Sequence, residues 1–69
     1  MIYYDKLWLM MKRANKSKTE LRKAARLSTS TFAKLTRNEM VSLDVLVRLC
    51  SVFQCQISDI CTIGYEEGR

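Results

Sequence analysis

The basic side chains of this 69-residue chain are concentrated in one segment. Nine of its twelve Lys and Arg residues lie between residues 12 and 37, together with a single acid, Glu20. This segment carries a net charge of +8, whereas the remainder of the chain carries −3. Solvent-exposed surfaces usually mix the two signs, so the separation indicates a surface that attracts a polyanion. Nucleic acid fits this pattern, because each cation can neutralise a backbone phosphate.

Three consecutive hydroxyl side chains, Thr29, Ser30 and Thr31, precede Lys34 within the basic segment. A Lys ammonium can donate to O6 and N7 of guanine, and a Thr offers a hydroxyl together with a methyl that can meet the thymine methyl. This chemistry places Lys34 on a base or a phosphate and the hydroxyls on base edges. Each hydroxyl can equally cap the start of a helix, and both roles stay open at this point.

Catalytic and metal-binding chemistry has little support in the sequence. There is no His, and Ser30 and Lys34 stand at a helical spacing that is common and unspecific. The cysteines Cys50, Cys55 and Cys61 lack the close C-x-x-C pairs that zinc sites use. We therefore predict reduced thiols and a protein that is not an enzyme, with no cofactor, no metal and no small-molecule ligand.

Two short helices with separate start signals must position the basic and hydroxyl residues. Ser17 and Glu20 form an S-x-x-E capping box, in which each side chain bonds the backbone amide of the other residue. Ser28 is the predicted N-cap of a second helix over residues 29–36. Two helices joined by a short turn, with small residues where they cross, predict a helix-turn-helix over residues 17–36.

The remaining segments are predicted to support this motif. An apolar stripe predicts a first helix over residues 4–14, where Trp8 is either a core residue or an interaction anchor. Ser42 caps a fourth helix that forms the main core, and a short fifth helix over 57–61 is capped by Ser58. The apolar positions assigned to the fourth helix are Leu43, Leu46, Val47, Leu49, Cys50 and Phe53.

The absence of Pro, the two glycines and the poor strand signals predict a compact, all-α, five-helix domain. The domain spans residues 1–62, and residues 63–69 form a tail with too few apolar residues to pack. The longest apolar run, residues 7–11, is far too short to cross a membrane. We predict a cytoplasmic protein with no membrane partner.

The motif resembles the helix-turn-helix of the Cro/C1-type (XRE-like) transcriptional regulators. Lys18 lies where that family usually has Gln at the start of the first motif helix, and Ser30-Thr31 match the "s-t" that opens its recognition helix. The apolar positions of the family are matched by Leu21, Leu27, Phe32 and Leu35. The similarity continues through L-D-V-L-V-R-L-C (43–50) and F-Q-C-Q-I-S-D-I (53–60). The segments Y-D-K-L-W (4–8) and T-F-A-K-L (31–35) are further similar to small VanU-type regulators.

This resemblance implies a bacterial, sequence-specific regulator of transcription that binds double-stranded DNA. It further implies a homodimer on a palindromic operator, with residues 29–36 as the recognition helix. Arg37 and Asn38 follow that helix, where contact with a phosphate and a solvated loop are equal alternatives. The resemblance and the charge pattern together place the following residues at the DNA: Lys16, Lys18, Arg22, Arg26, Thr29, Ser30, Thr31, Lys34, Arg37 and Asn38.

Two residues depart from the family pattern. Arg22 replaces a small residue, and Arg26 replaces the turn glycine, where a left-handed backbone costs a side chain about 1 kcal/mol. Asn38 occupies another glycine position, but Asn tolerates this conformation well. The two Arg residues favour an alternative function, a protein-interaction adaptor or antirepressor that keeps the fold. The charge segregation argues against that alternative, because a protein partner does not require it.

Overall fold

Within residues 1–65, four α-helices and a short strand pair make up the fold. The structure is a computed structural model that describes residues 1–65. The elements, in chain order, are β1 (Ile2–Tyr3), α1 (Asp5–Arg13), α2 (Lys18–Ala24), α3 (Thr29–Thr36), α4 (Leu43–Phe53), a 3-10 turn (Ile57–Asp59) and β2 (Thr62–Ile63). The predicted helix-turn-helix is confirmed as α2, a turn and α3.

Serine hydroxyls cap three of the helices as the sequence predicts. The Ser17 hydroxyl accepts from the Glu20 amide at 3.1 Å, and Glu20 Oε1 accepts from the Ser17 amide at 2.8 Å. The Ser28 hydroxyl accepts from the amide of Thr31 at 3.2 Å, and that of Ser42 from the amide of Val45 at 3.3 Å. These caps fix where α2, α3 and α4 begin, because they satisfy amides that have no partner within the helix.

Each helix is followed by a residue in the left-handed region, and none of these residues is glycine. The residues are Asn15, Arg26, Asn38 and Gln54, with φ between 52° and 58°. The next amide in the chain returns to the helix each time, as when Leu27 N–H donates to Arg22 O at 3.0 Å. This geometry satisfies a terminal carbonyl and turns the chain sharply.

The core lies where the four helices meet. Its fully buried members come from nearly every segment between the N-terminal residues and the end of the 3-10 turn: Tyr4, Leu7, Leu21, Leu35, Leu49 and Ile60. Trp8 is half-buried and packs against this core, so it is neither fully interior nor fully exposed. The core holds α3 in place through Phe32 and Leu35, which leaves the other side of α3 to solvent.

The assignment of α4 as the main core helix is only partly right. Leu46, Leu49 and Cys50 are buried as predicted. Leu43 and Val47, in contrast, are 65% and 53% exposed. The apolar arc of α4 is wider than the surface that the neighbouring elements cover, so these two residues, one turn apart, stay on its solvent-facing flank.

The predicted fifth helix is a single 3-10 turn. Only residues 57–59 adopt helical geometry, and the predicted cap at Ser58 is wrong. The side chain of Asp59 closes the turn instead, because its Oδ2 accepts from the amide of Gln56 at 2.9 Å. The chain leaves the helical path directly after this turn and pairs as β2 with β1, so no fifth α-helix forms over residues 57–61.

Residue 63, where the sequence predicts that an unpacked tail begins, forms a strand together with residue 62. Strand β2 pairs antiparallel with β1, with Ile2 opposite Ile63 and Tyr3 opposite Thr62. Gly64 follows directly, and a Cβ there would lie 2.7 Å from Cε2 of Tyr3, so a side chain at this position would displace the ring of Tyr3. The last four residues of the predicted tail, 66–69, lie outside the described part. No helix among residues 1–65 is long and apolar enough to cross a membrane.

Candidate nucleic-acid interface

The start of α2 presents Lys18 to solvent. The capping box that begins the helix leaves this side chain pointing away from the core, where its ammonium lies over the ring of Trp8 at 5.2 Å from the centroid. Lys16, just before the cap, is half-buried and contributes to the low pKa of Glu20, which is lowered mainly by hydrogen bonds from Ser17. The two lysines therefore frame the N-terminal end of α2, where the helix dipole already favours an anion.

The turn between α2 and α3 is held by side chains that donate to backbone carbonyls. Arg22 Nη1 donates to Leu27 O at 3.1 Å and so bridges the turn from within the motif. Arg48 Nη1 on α4 donates to Arg26 O at 3.1 Å, while Nη2 of the same guanidinium pairs with Asp44 at 2.9 Å. These bonds explain how the turn is built without glycine: Arg26 adopts φ of 58°, and its carbonyl is fixed by a neighbouring helix.

Hydroxyl groups at the start of α3 are largely engaged with one another. The Ser28 hydroxyl, already the N-cap, also lies 3.1 Å from the Ser30 hydroxyl and 3.0 Å from that of Thr31. Thr31 is half-buried, whereas Thr29 is exposed and its hydroxyl has no hydrogen-bond partner among residues 1–65. The structure therefore gives Ser30 and Thr31 a place in the capping network and leaves Thr29 available to a ligand.

Lys34 stands apart from its neighbours on the exposed side of α3. Its ammonium makes no hydrogen bond or ion pair within the described chain, and the side chain is exposed. Arg37, three residues on, instead pairs with Glu39, which lowers the pKa of Glu39 and raises that of Arg37. Of these two cations, Lys34 is thus the one that forms no ion pair within residues 1–65, although its charge also contributes to the low pKa of Glu39.

Asn38 has a structural task. Its Oδ1 accepts from the amide of Tyr4 at 3.2 Å, and the Tyr4 hydroxyl donates to the carbonyl of Glu39 at 2.7 Å. Tyr4 is fully buried, and that burial raises the pKa of its hydroxyl. Asn38 can still donate through its amide nitrogen, but its carbonyl oxygen belongs to the joint between the N-terminal segment and the loop after α3.

A shallow depression lies between α2 and α3. Its open volume is about 330 Å³, and its walls include Lys18, Arg22 and Thr29, with Phe32 at its base. The start of α2 and the first turn of α3 therefore face the same side of the molecule. A groove lined by two cations and by the hydroxyl side chains of Thr19, Thr29 and Thr36 can receive a phosphate on one wall and a base edge on the other.

The cysteines form a separate group, away from the groove. Cys50 and Cys61 are buried, Cys55 is half-buried, and all three are free thiols. Burial, followed by the proximity of Cys55, raises the pKa of Cys50 to about 11. A thiol with so high a pKa stays protonated at neutral pH and is a poor nucleophile.

Several supporting residues escape sequence analysis. Asp44 and Arg48 have the i,i+4 spacing of a helical ion pair, which is a readable signal. The bond from Arg48 to the motif turn and the joint between Tyr4 and Asn38 have no such signal, because they join residues far apart in the chain.

Comparison with known proteins agrees with this geometry. A family model described as a Cro/C1-type HTH DNA-binding domain matches residues 6–64. The crystal structure of the transcriptional regulator VanUg, in its Form II, is 43% identical over 94% of this chain and 87% of that one, with a TM-score of 0.90. No curated protein sequence shows significant similarity to the chain.

Proposed function

The chain belongs to the Cro/C1-type helix-turn-helix DNA-binding family, and from this premise we propose that it regulates transcription by binding a specific double-stranded DNA operator. The observation that carries the proposal is the shared groove of α2 and α3. Lys18 and Thr29 both line this groove and are exposed, and the exposed Lys34 lies further along α3.

Affinity comes from the basic residues around the groove. Lys16 and Lys18 contact phosphates at the start of α2, and the exposed side chain of Arg26 adds charge at the turn of the motif. Arg22 keeps guanidinium donors beyond the one that it directs to Leu27, and these face the groove. Arg37 and the amide nitrogen of Asn38 extend the set at the far end of α3.

Base choice comes from α3, which enters the major groove with its first turn. Thr29 and Lys34 are the main candidates, since neither has a partner in the described chain. Ser30 and Thr31 reach base edges through the donor and acceptor sites that their hydrogen bonds to the Ser28 hydroxyl leave free.

A homodimer on a palindromic operator is the second part of the proposal. One recognition helix reads only a few base pairs, so two copies on adjacent half-sites are needed for a unique site. An exposed apolar face supports the dimer: Leu43 and Val47 lie one turn apart on α4, and Met40 before it is 72% exposed. Asp44 and Arg48 lie next to this face and carry opposite charges. In a two-fold dimer centred there, Asp44 of one subunit would lie opposite Arg48 of the other.

The dimer proposal predicts that a charge on this face separates the subunits. We expect Val47→Lys to shift the sedimentation coefficient to that of a monomer and to weaken operator binding. Leu9→Lys is the matched control, because Leu9 is similarly exposed, at 50%, but lies on α1. Equal behaviour of the two variants would contradict the α4 face as the dimer contact.

Selection from a randomised duplex pool tests the function as a whole. The bound fraction is sequenced, and affinities are measured at two salt concentrations. Enrichment of a palindrome with a steep salt dependence is the expected result, since phosphate contacts release counterions. Salt-dependent binding without enrichment would refute sequence specificity, and the absence of binding would favour a protein-interaction adaptor. The proposal also places the protein in the cytoplasm, where its DNA target lies, and gives it no enzymatic step.

A further inference from the structure

The ring of Trp8 connects the start of α2 to the recognition helix. On one side it lies under the ammonium of Lys18, at 5.2 Å from the ring centroid. On the other it meets the ring of Phe32 edge to face, with centroids 5.7 Å apart and planes at 65°. Because Phe32 is buried in the core side of α3, a continuous contact runs from the Lys18 ammonium to the recognition helix.

This arrangement restricts a side chain that is otherwise mobile. An exposed Lys loses considerable rotamer freedom when it contacts a phosphate, and that loss weakens binding. The face of a Trp ring attracts the ammonium and holds it in one region before the ligand arrives. The ring covers one side of the ammonium only, so the remaining N–H donors of the exposed Lys18 stay open to an anion.

We propose that Trp8 is a positioning residue for the phosphate contact of Lys18. The proposal rests on the DNA binding proposed above and adds a residue that neither the charge pattern nor the motif identifies. Through its contact with Phe32, the same ring sets the position of the Lys18 ammonium relative to α3. The ring of Trp8 thereby fixes the distance between the phosphate contact of Lys18 and the base contacts of α3.

A double-mutant cycle tests this role. Dissociation constants for the selected duplex are measured for the unaltered protein, Trp8→Leu, Lys18→Met and the double variant, at several salt concentrations. We expect Trp8→Leu to weaken binding about two- to fivefold when Lys18 is present. The same change should have no effect in the Lys18→Met background, and Lys18→Met alone should lower the salt slope by about one.

Purely structural damage has a different signature. If Trp8 only packed against the core, Trp8→Leu would weaken binding by the same factor in both backgrounds, and that result would overturn the proposal. Binding unchanged by Trp8→Leu in the Lys18 background would also overturn it. Trp8→Phe covers the case in which the Leu variant does not fold: it keeps a ring, and it should give a smaller loss that again requires Lys18.

The cycle separates this proposal from the function on which it rests. An unaltered protein that bound no duplex at any salt concentration would refute DNA binding, and the role of Trp8 with it. If the unaltered protein bound its duplex and Trp8→Leu weakened binding equally with Lys18 and in the Lys18→Met background, only the role of Trp8 would be refuted.

Discussion

The two ends of the recognition helix α3 are held by different chemistry. Before its first turn, charged side chains fix the backbone, since Arg48 and Arg22 donate to two consecutive carbonyls within the motif turn, those of Arg26 and Leu27. After its last turn, the neutral pair of Tyr4 and Asn38 does so. A cation close to the DNA-binding face is therefore not always a cation available to DNA. Within residues 1–65, Lys18 and Lys34 form no ion pair, whereas Arg22 directs one of its guanidinium donors to the Leu27 carbonyl.

The largest expected effect on stability comes from a substitution at Asn38, in its joint with Tyr4 after α3. We expect Asn38→Ala to lower the free energy of unfolding by roughly 2–3 kcal/mol. Ala is less favourable in a left-handed backbone, and the amide of Tyr4 loses its acceptor. Urea unfolding monitored by circular dichroism measures the change.

Asn38→Gly separates the two causes at this joint. Glycine relieves the left-handed backbone but still leaves the Tyr4 amide without its acceptor, so a loss of about 1 kcal/mol should persist. A Gly variant as stable as the unaltered protein would show that the bond to Tyr4 contributes nothing.

A substitution of Lys34 tests whether an unpaired cation on α3 contributes to the choice of DNA sequence. Lys34→Ala should cost roughly 1–3 kcal/mol of binding free energy at the selected site and relax the preference at one base pair. Stability should not change, because Lys34 has no partner within residues 1–65. The measurement is binding to the site and to its single-base variants.

The control for Lys34 removes the same charge elsewhere in the basic segment. Lys23 on α2 is also exposed, and Lys23→Ala should weaken all duplexes alike if it affects any. If Lys34→Ala likewise left every base preference unchanged, Lys34 would be a phosphate contact only.

The turn before α3 should respond in the opposite direction from the joint after it. We expect Arg26→Gly to raise the free energy of unfolding by up to about 1 kcal/mol, because glycine adopts the left-handed backbone without penalty. The bond from Arg48 survives the change, since the acceptor is the Arg26 carbonyl. Thermal and urea unfolding would reveal the gain, and a loss of stability would mean that the Arg26 side chain itself supports the turn.

The sequence predicts local features of this fold well. The caps at Ser17, Ser28 and Ser42 are confirmed because each needs only a hydroxyl and an amide three residues further on. The helix-turn-helix follows from these caps and from apolar spacing. The Cro/C1 family assignment, made from the same segment, is confirmed by the family match over residues 6–64.

Features that depend on distant residues were beyond prediction. A two-residue strand is too short to show alternation, so the pairing of β1 with β2 leaves no pattern in the sequence. The exposure of Val47 depends on what packs beside α4, not on its own periodicity. In the candidate interface, chemistry predicts which side chains suit DNA, but the bonds that occupy Arg22 and Arg37 become visible only in three dimensions.

The pairing of β1 with β2 also bears on the order of folding. Every helix forms from neighbours in sequence, but this pair joins residue 2 to residue 63, and the Met1 ammonium donates to the Gly64 carbonyl at 2.8 Å. Closing so long a loop costs entropy before any contact compensates for it, so we expect the strands to pair after the helices have collapsed. The same contacts should open first in the native state, and their amides should exchange with solvent well before those of the helical core. Because the strand pair forms after the transition state, its contacts slow unfolding more than they speed folding.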